Sequence, residues 1–329
     1  KIHDSATKTA YLAKAGEKVS LLMPEVPQDS TRLALIRVQD EKKLKLSKAN
    51  SDTQFSVEVP ISPWESNEPI ERVLIACKAY DTVNVMEKLL PRMSQSSVAV
   101  ILCQQPAILW EIERSSAKSL TYVVGTTMHS AYATQRFRIV HSSGLGSHLN
   151  TWFGLPRGRE TAMTVSEIDS LVNTLKAADL GGVKDNDIEP RLWERMAMAC
   201  GLLPLTALYG VTNGQFIKST TSRDTMASVV KEASNVLIEL DMVRSGFDKS
   251  NVSQRLFEGL LERAESTSTH FSSMSRDIRI GRKTEIEYFN GFLVRQAKEL
   301  KIPTPINSTL CNLLKIKTDM KPPTDSFYS

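Results

Sequence analysis

Residues 283–314, KTEIEYFNGFLVRQAKELKIPTPINSTLCNLL, read with SSMSRDI at residues 272–278, decide the fold of the second half of this chain. Ile286, Phe289, Phe292, Leu293, Ala297 and Leu300 recur at helical spacing. Pro303 and Pro305 then break the pattern, because proline has no amide hydrogen and its ring clashes with the preceding turn. A second apolar run, Leu310, Leu313 and Leu314, begins beyond them. The patterning specifies two packed helices.

Working outward, every segment from residue 188 onward reads helical: about 190–209, 223–245, 252–278, 283–300 and 307–316. Upstream, elements alternate. Thr9 begins a short helical run to residue 15, and residues 18–22 read as a strand. Residues 73–77, 98–102 (VAVIL) and 122–125 are apolar runs of buried-strand length, with a helix at residues 82–93 between the first two. That alternation predicts a doubly wound parallel sheet. Residues 137–141 and 150–153 read as an edge hairpin turning at Gly144 and Gly146, and residues 166–178 as a helix. Gly181, Gly182 and the polar run to Asp187 read as a linker.

Composition bounds the class. The chain has 329 residues, 41% hydrophobic and 24% charged, which suits two globular domains. No apolar run reaches the roughly 18 residues of a spanning helix, and no signal-peptide pattern is visible at the start. The four cysteines (Cys77, Cys103, Cys200, Cys311) form no CxxC pair and read as buried free thiols of a reducing compartment. The five histidines are scattered, so no metal is expected, and His129 and His141 read as structural. A net charge of +4 is mildly basic and compatible with RNA or an acidic partner.

Ser-Ser-Met, Thr-Glu-Ile-Glu, Asn-Gly and Ile-Pro-Thr-Pro in the opening stretch resemble the C-terminal signature of ketopantoate reductases, which reduce 2-dehydropantoate to pantoate with NADPH. RLWERMAMACGLLPLTALYGVTNGQF, residues 191–216, resembles that family's central helix. The resemblance implies an α/β N-terminal Rossmann-like doubly wound parallel sheet (residues 1–186). An all-α C-terminal domain (187–329), like that of 6-phosphogluconate dehydrogenase, is implied after it. It also implies site positions. The family places a proton-donating lysine and two substrate-binding asparagines four residues apart on the central helix, hence on one face. Here those positions hold Arg195, Ala199 and Leu203. Arginine keeps the charge but is a very poor proton donor, with a pKa above about 12. Alanine and leucine side chains donate no hydrogen bond. Ser273 and Glu285 match the family's substrate-binding serine and glutamate, twelve residues apart, and Arg195 with Glu285 reads as an ion pair.

On the cofactor side, the resemblance places a glycine turn near residues 1–5, where the chain has Ile2, His3, Asp4 and Ser5, with no glycine before Gly16. The ribose-selecting position after the second strand is Pro24, with Arg32 or Arg37 as substitutes. Lys78 matches the family's lysine after the third strand, close to cofactor and substrate. The nicotinamide-side Asn-Gly pair is replaced by Cys103-Gln104-Gln105-Pro106, which lacks a residue suited to positive φ, so the loop is expected to take another path.

So many altered positions lead to the expectation of a non-catalytic family member with no cofactor, kept as a binding or scaffold protein. FRIVHSSGLGS, residues 137–147, resembles fungal members, some of them mitochondrial. By analogy the expected setting is the mitochondrial matrix, beside the mitoribosome or RNA, within a protein or ribonucleoprotein assembly; otherwise the cytoplasm. The expected patch for RNA backbone is RDIRIGRK, with Arg276, Arg279, Arg282 and Lys283. Residues 42–45 and 315–321 are further basic segments, and a homo-oligomer is open. The alternatives are a working NADP-dependent 2-dehydropantoate 2-reductase or other 2-oxoacid reductase, and an NADP-binding sensor.

Overall fold

The computed structural model describes residues 67–129, 150–177 and 181–320, and the backbone of residues 21–23, 43–48, 54–58, 61–63, 131–135 and 138–141. The chain folds as two units: residues 1–103 with 112–188, and residues 104–111 with 189–329.

In the first unit the strands are β1 (Leu21–Met23), β2 (Lys43–Lys48), β3 (Gln54–Glu58), β4 (Ile61–Pro63), β5 (Ile70–Ile75), β6 (Met93–Leu102), β7 (Thr121–Thr127), β8 (Ala131–Gln135), β9 (Arg138–His141), β10 (Thr151–Gly154) and β11 (Gly182–Lys184). The main sheet runs β11-β10-β7-β6-β5. Strands β5, β6 and β7 are mutually parallel, as the unbroken apolar runs predict for strands covered on both faces. Val98, Ala99, Val100 and Ile101 on β6 and Tyr122, Val123 and Val124 on β7 are all at most 3% exposed, and each Val or Ile side chain so buried contributes about 1.5–3 kcal/mol. Helix α1 (Ala79–Leu89) joins β5 to β6, burying Ala79, Thr82, Met86 and Leu89. It starts three residues earlier than its apolar pattern suggests.

Two readings are corrected here. Residues 138–141 and 151–154 are not a hairpin: β9 pairs with β2 and β8, whereas β10 pairs antiparallel with β7 and parallel with β11. A Cβ at Gly125 on β7 would sit 2.7 Å from the Phe153 ring, so the glycine leaves the room that Phe153 of β10 fills. Nor is Gly182 part of a linker. It opens β11, opposite Thr151, and a Cβ there would lie 2.5 Å from the Val172 carbonyl oxygen of helix α3 (Ala162–Ala177). The glycine serves close packing of helix on strand.

The second unit is all-helical. Helix α2 (Ala107–Ile112) begins in it; α4 (Ile188–Tyr209), α5 (Asn213–Ile217), α6 (Thr220–Glu239), α7 (Val252–Ser266), α8 (Ser273–Arg279), α9 (Asn290–Glu299) and α10 (Pro305–Asp319) complete it. A parallel-dominated sheet followed by helices is the fold class the sequence implied. The continuous helix read over residues 252–278 is two, because the Thr267–His270 turn is held by Asn213 and Gly214: His270 O and Ser268 O accept their amides at 2.9 Å each. Pro305 opens α10 at a position where its missing amide hydrogen costs nothing. Three of the four free cysteines are buried and Cys77 is half-buried. No helix among the described residues is long and apolar enough to cross a membrane.

Helix α4 contains Pro204, which leaves the Cys200 carbonyl without its helical donor. Asn290, fully buried at the start of α9, supplies the replacement: its Nδ2 donates to Cys200 O at 3.3 Å and to Asn307 Oδ1 at 3.0 Å. Glu232 of α6 then accepts the Ile306 and Asn307 amides, 2.9 Å each, at the head of α10. The Asn-Gly of the signature is therefore a packing device that repairs a proline-broken helix.

Candidate functional site

Helix α4 is enclosed on nearly all sides. Between Pro190 and Ala207 only Arg191, Arg195, Met198, Ala199 and Leu203 are not buried. Arg191, Arg195, Ala199 and Leu203 are spaced by four, so they form one line of partial exposure that drifts by about 40° per step. Ala199 and Leu203 also pack on the apolar core of the unit. The positions singled out in the sequence therefore do share a face, and it is the open one.

The helix is fixed in rotation by its neighbours. Glu194 is 2% exposed; its Oε2 accepts from Arg244 Nε at 2.6 Å and its Oε1 from Arg255 Nη2 at 2.5 Å. Burial pushes its carboxyl up, but the Arg255 and Arg244 guanidiniums more than offset this and hold it below the usual carboxylate range. Phe247 stacks on both guanidiniums, 4.7 and 4.1 Å from their carbons to its centroid. Trp193 packs on Phe292 of α9 with ring centroids 5.5 Å apart.

Glu285 is 3% exposed, and its Oε1 accepts from Nε2 of the fully buried Gln105 at 3.3 Å. Gln105 Oε1 in turn accepts the Gln104 amide at 3.1 Å. None of residues 103–107 has positive φ in the loop after β6. Its closure comes from the Gln105 side chain, and Pro106 then feeds α2. Glu111 at the other end of α2 accepts from the Tyr288 hydroxyl at 3.1 Å. Burial raises the Glu111 pKa, opposed by that hydrogen bond and by Arg295. The loop and helix 104–111 are thus tied at both ends to the turn that carries Glu285. Sequence reading missed Gln105 as the partner of Glu285; the two stand 180 residues apart, and no local pattern links them.

Ser273 is exposed at the first turn of α8, whose N-cap is Ser272. The Thr206 hydroxyl of α4 donates to the Ser272 hydroxyl at 2.9 Å, which ties the start of α8 to α4. In the basic segment, Arg276 is half-buried, and Arg279 stacks 3.5 Å over Phe271 while donating to Gly210 O at 3.3 Å. Arg282 and Lys283 are exposed beyond the Gly281 turn. In the first unit, Lys78 is half-buried as the N-cap of α1, directly after β5. Ser5, Pro24, Arg32 and Arg37 lie outside the described residues.

A family model described as ketopantoate reductase PanE/ApbA matches residues 6–158, and its C-terminal counterpart matches residues 187–318. The chain belongs to the ketopantoate reductase family. A 2-dehydropantoate 2-reductase of Vibrio cholerae is 22% identical over 308 residues, covering 93% of this chain and 91% of the relative. That of Archaeoglobus fulgidus is 27% identical over 249 residues, covering 75% and 76%. Among solved structures, D-mandelate dehydrogenase with NADH and anilino(oxo)acetate superposes with a TM-score of 0.79 at 16% identity, covering 96% of each chain. A family ketopantoate reductase of Ralstonia eutropha gives 0.74 at 19%, covering 94% of each.

These relatives overturn the expectation of a non-catalytic scaffold, and the mitochondrial-translation role falls with it. That expectation counted each departure as a loss. In this ketopantoate reductase-family chain the helix face remains open, Arg195 retains the positive charge and Glu285 is held in place.

Proposed function

We propose that this chain is an NAD(P)H-dependent reductase of 2-oxo acids, related in reaction to 2-dehydropantoate 2-reductase. The observation that carries the reading is the open line on α4 with Arg195, together with a buried Glu285 oriented by Gln105. By the resemblance, both residues match the family's catalytic positions.

For the cofactor, Lys78 is a fitting residue. It stands at a helix N-terminus beyond the C-terminal end of a parallel strand, where charge and helix dipole both favour phosphate. Lys78 is the described residue of the first unit that would hold NADP; the D-mandelate dehydrogenase is solved with NADH. When bound, the dinucleotide supplies a hydride to C2 of the 2-oxo acid.

The chain's own residues then answer the charge that develops. Arg195 sets a permanent positive charge and a donor fork against the oxygen that becomes the alkoxide. A guanidinium does not release its proton at neutral pH, so the alkoxide takes its proton from water. Gln105 fixes the Glu285 carboxylate, which can accept the hydroxyl of the 2-hydroxy acid once that has formed.

The test is oxidation of NADPH or NADH by the purified chain with a panel of 2-oxo acids, followed by identification of the 2-hydroxy acid. Arg195→Ala is expected to lower kcat by about 10²-fold or more, whereas Arg195→Lys restores a donor able to transfer its proton and raises kcat about 10-fold or more. A wild-type chain that reduces no 2-oxo acid with either nucleotide refutes the reading.

A further inference from the structure

The open line on α4 changes character along its length. Arg191 and Arg195 make one end cationic; Met198, Ala199 and Leu203 make the other apolar. Steps of four residues advance about 6 Å along the axis. Ala199 therefore lies one step and Leu203 two steps, about 12 Å, from Arg195. Beyond Leu203, the buried Thr206 hydroxyl bonds Ser272, the residue before the exposed Ser273. Along the line itself, beyond Arg195, no side chain donates a hydrogen bond.

We infer that the preferred substrate is a 2-oxo acid whose side chain is apolar and branched or aromatic, without the hydroxyl that 2-dehydropantoate carries; this rests on the reductase reading above. The carboxylate and keto oxygens face the arginine end. The carbon chain beyond C3 lies along Ala199 and reaches toward Leu203. The line offers about 6 Å from Arg195 to Ala199 and about 12 Å to Leu203, which leaves room for a branched or aromatic side chain. A hydroxyl placed there gives up its water for no partner, which is unfavourable. A leucine and an alanine instead gain from covering apolar surface. Ala199 and Leu203 are thus specificity-determining residues, and their replacement of amide side chains retunes the site.

The closest test pair is 2-dehydropantoate against 3,3-dimethyl-2-oxobutanoate, which differ by that hydroxyl; 4-methyl-2-oxopentanoate and phenylpyruvate extend the series. Two readouts are taken on the full chain: kcat/KM with NADPH and NADH, and calorimetric binding of each acid with NADP+ or NAD+ present. The hydroxyl-free acids are expected to be favoured at least 10-fold in both. Ala199→Asn and Leu203→Asn are each expected to narrow that ratio several-fold, with unchanged melting temperature for Ala199→Asn, at a partly exposed position of α4. Equal or better use of 2-dehydropantoate by the wild type overturns the inference while leaving the reductase reading standing. A ratio unmoved by the well-folded Ala199→Asn overturns it as well. A retained calorimetric preference with no turnover supports the apolar site and sinks the reductase reading; no binding of any acid sinks both.

Discussion

Asn290→Ala tests the claim that the signature asparagine repairs the helix broken by Pro204. The Asn290 side chain is fully buried and its Nδ2 serves two acceptors, Cys200 O at 3.3 Å and Asn307 Oδ1 at 3.0 Å. A buried acceptor left without its donor costs about 1–3 kcal/mol. The bond to Cys200 is long and falls at the low end of that range. The truncation is therefore expected to cost about 3 kcal/mol in total, a fall in melting temperature of roughly 6–12 °C. Pro204→Ala gives the Cys200 carbonyl its helical amide donor back. In that background Asn290→Ala strands only Asn307 Oδ1, and its cost drops to about 1.5–2 kcal/mol. The expected coupling is about 1 kcal/mol, read from urea denaturation of the wild type, both single variants and the double variant. Additivity within about 0.5 kcal/mol, with all four m-values equal, refutes the repair mechanism.

Two further outcomes follow from the second unit. Glu194→Gln removes the charge between Arg244 and Arg255, which are about a fifth exposed, so the loss at neutral pH is expected near 2–3 kcal/mol, below the range for fully buried pairs. Because the folded pKa of Glu194 lies below its unfolded value, its contribution is present above the unfolded pKa and is lost as pH falls through the folded one. Wild type should thus lose stability relative to Glu194→Gln on acidification below about pH 5, and parallel pH curves would count against the ion-pair account. Lys301 ends α9 with φ of +58°, its amide donating to Lys298 O at 3.2 Å while Ile302 N donates to Ala297 O at 2.8 Å. Lys301→Gly relieves the left-handed conformation and should raise stability by about 0.5 kcal/mol after the entropy glycine adds to the unfolded chain, measured by thermal denaturation; destabilisation would contradict it.

Some of this was legible before any coordinates. Leu310 and Leu314 after Pro305, and the VAVIL strand, follow from rules that act within a few residues: side-chain periodicity and the missing amide of proline. The alignment of Arg195, Ala199 and Leu203 on one face is equally local, since helical spacing alone dictates it. What that face meant was not legible. Counting lost family residues suggested a dead site, a reading the relatives overturn; that the line on α4 is partly exposed rather than fully buried shows only in the folded chain.

The tertiary structure alone decided the pairings. Gln105 with Glu285, Asn290 with the carbonyl freed by Pro204, and Glu194 between Arg244 and Arg255 join residues from 50 to 180 positions apart. Each is a buried polar group that must find a partner, and which partner it finds depends on how the helices pack. The placement of β10 beside β7 is of the same kind: Gly125 and Phe153 fit each other across the sheet. Periodicity and proline place the elements because those forces are local; partners across the fold emerge only when the chain has closed on itself and water has been excluded.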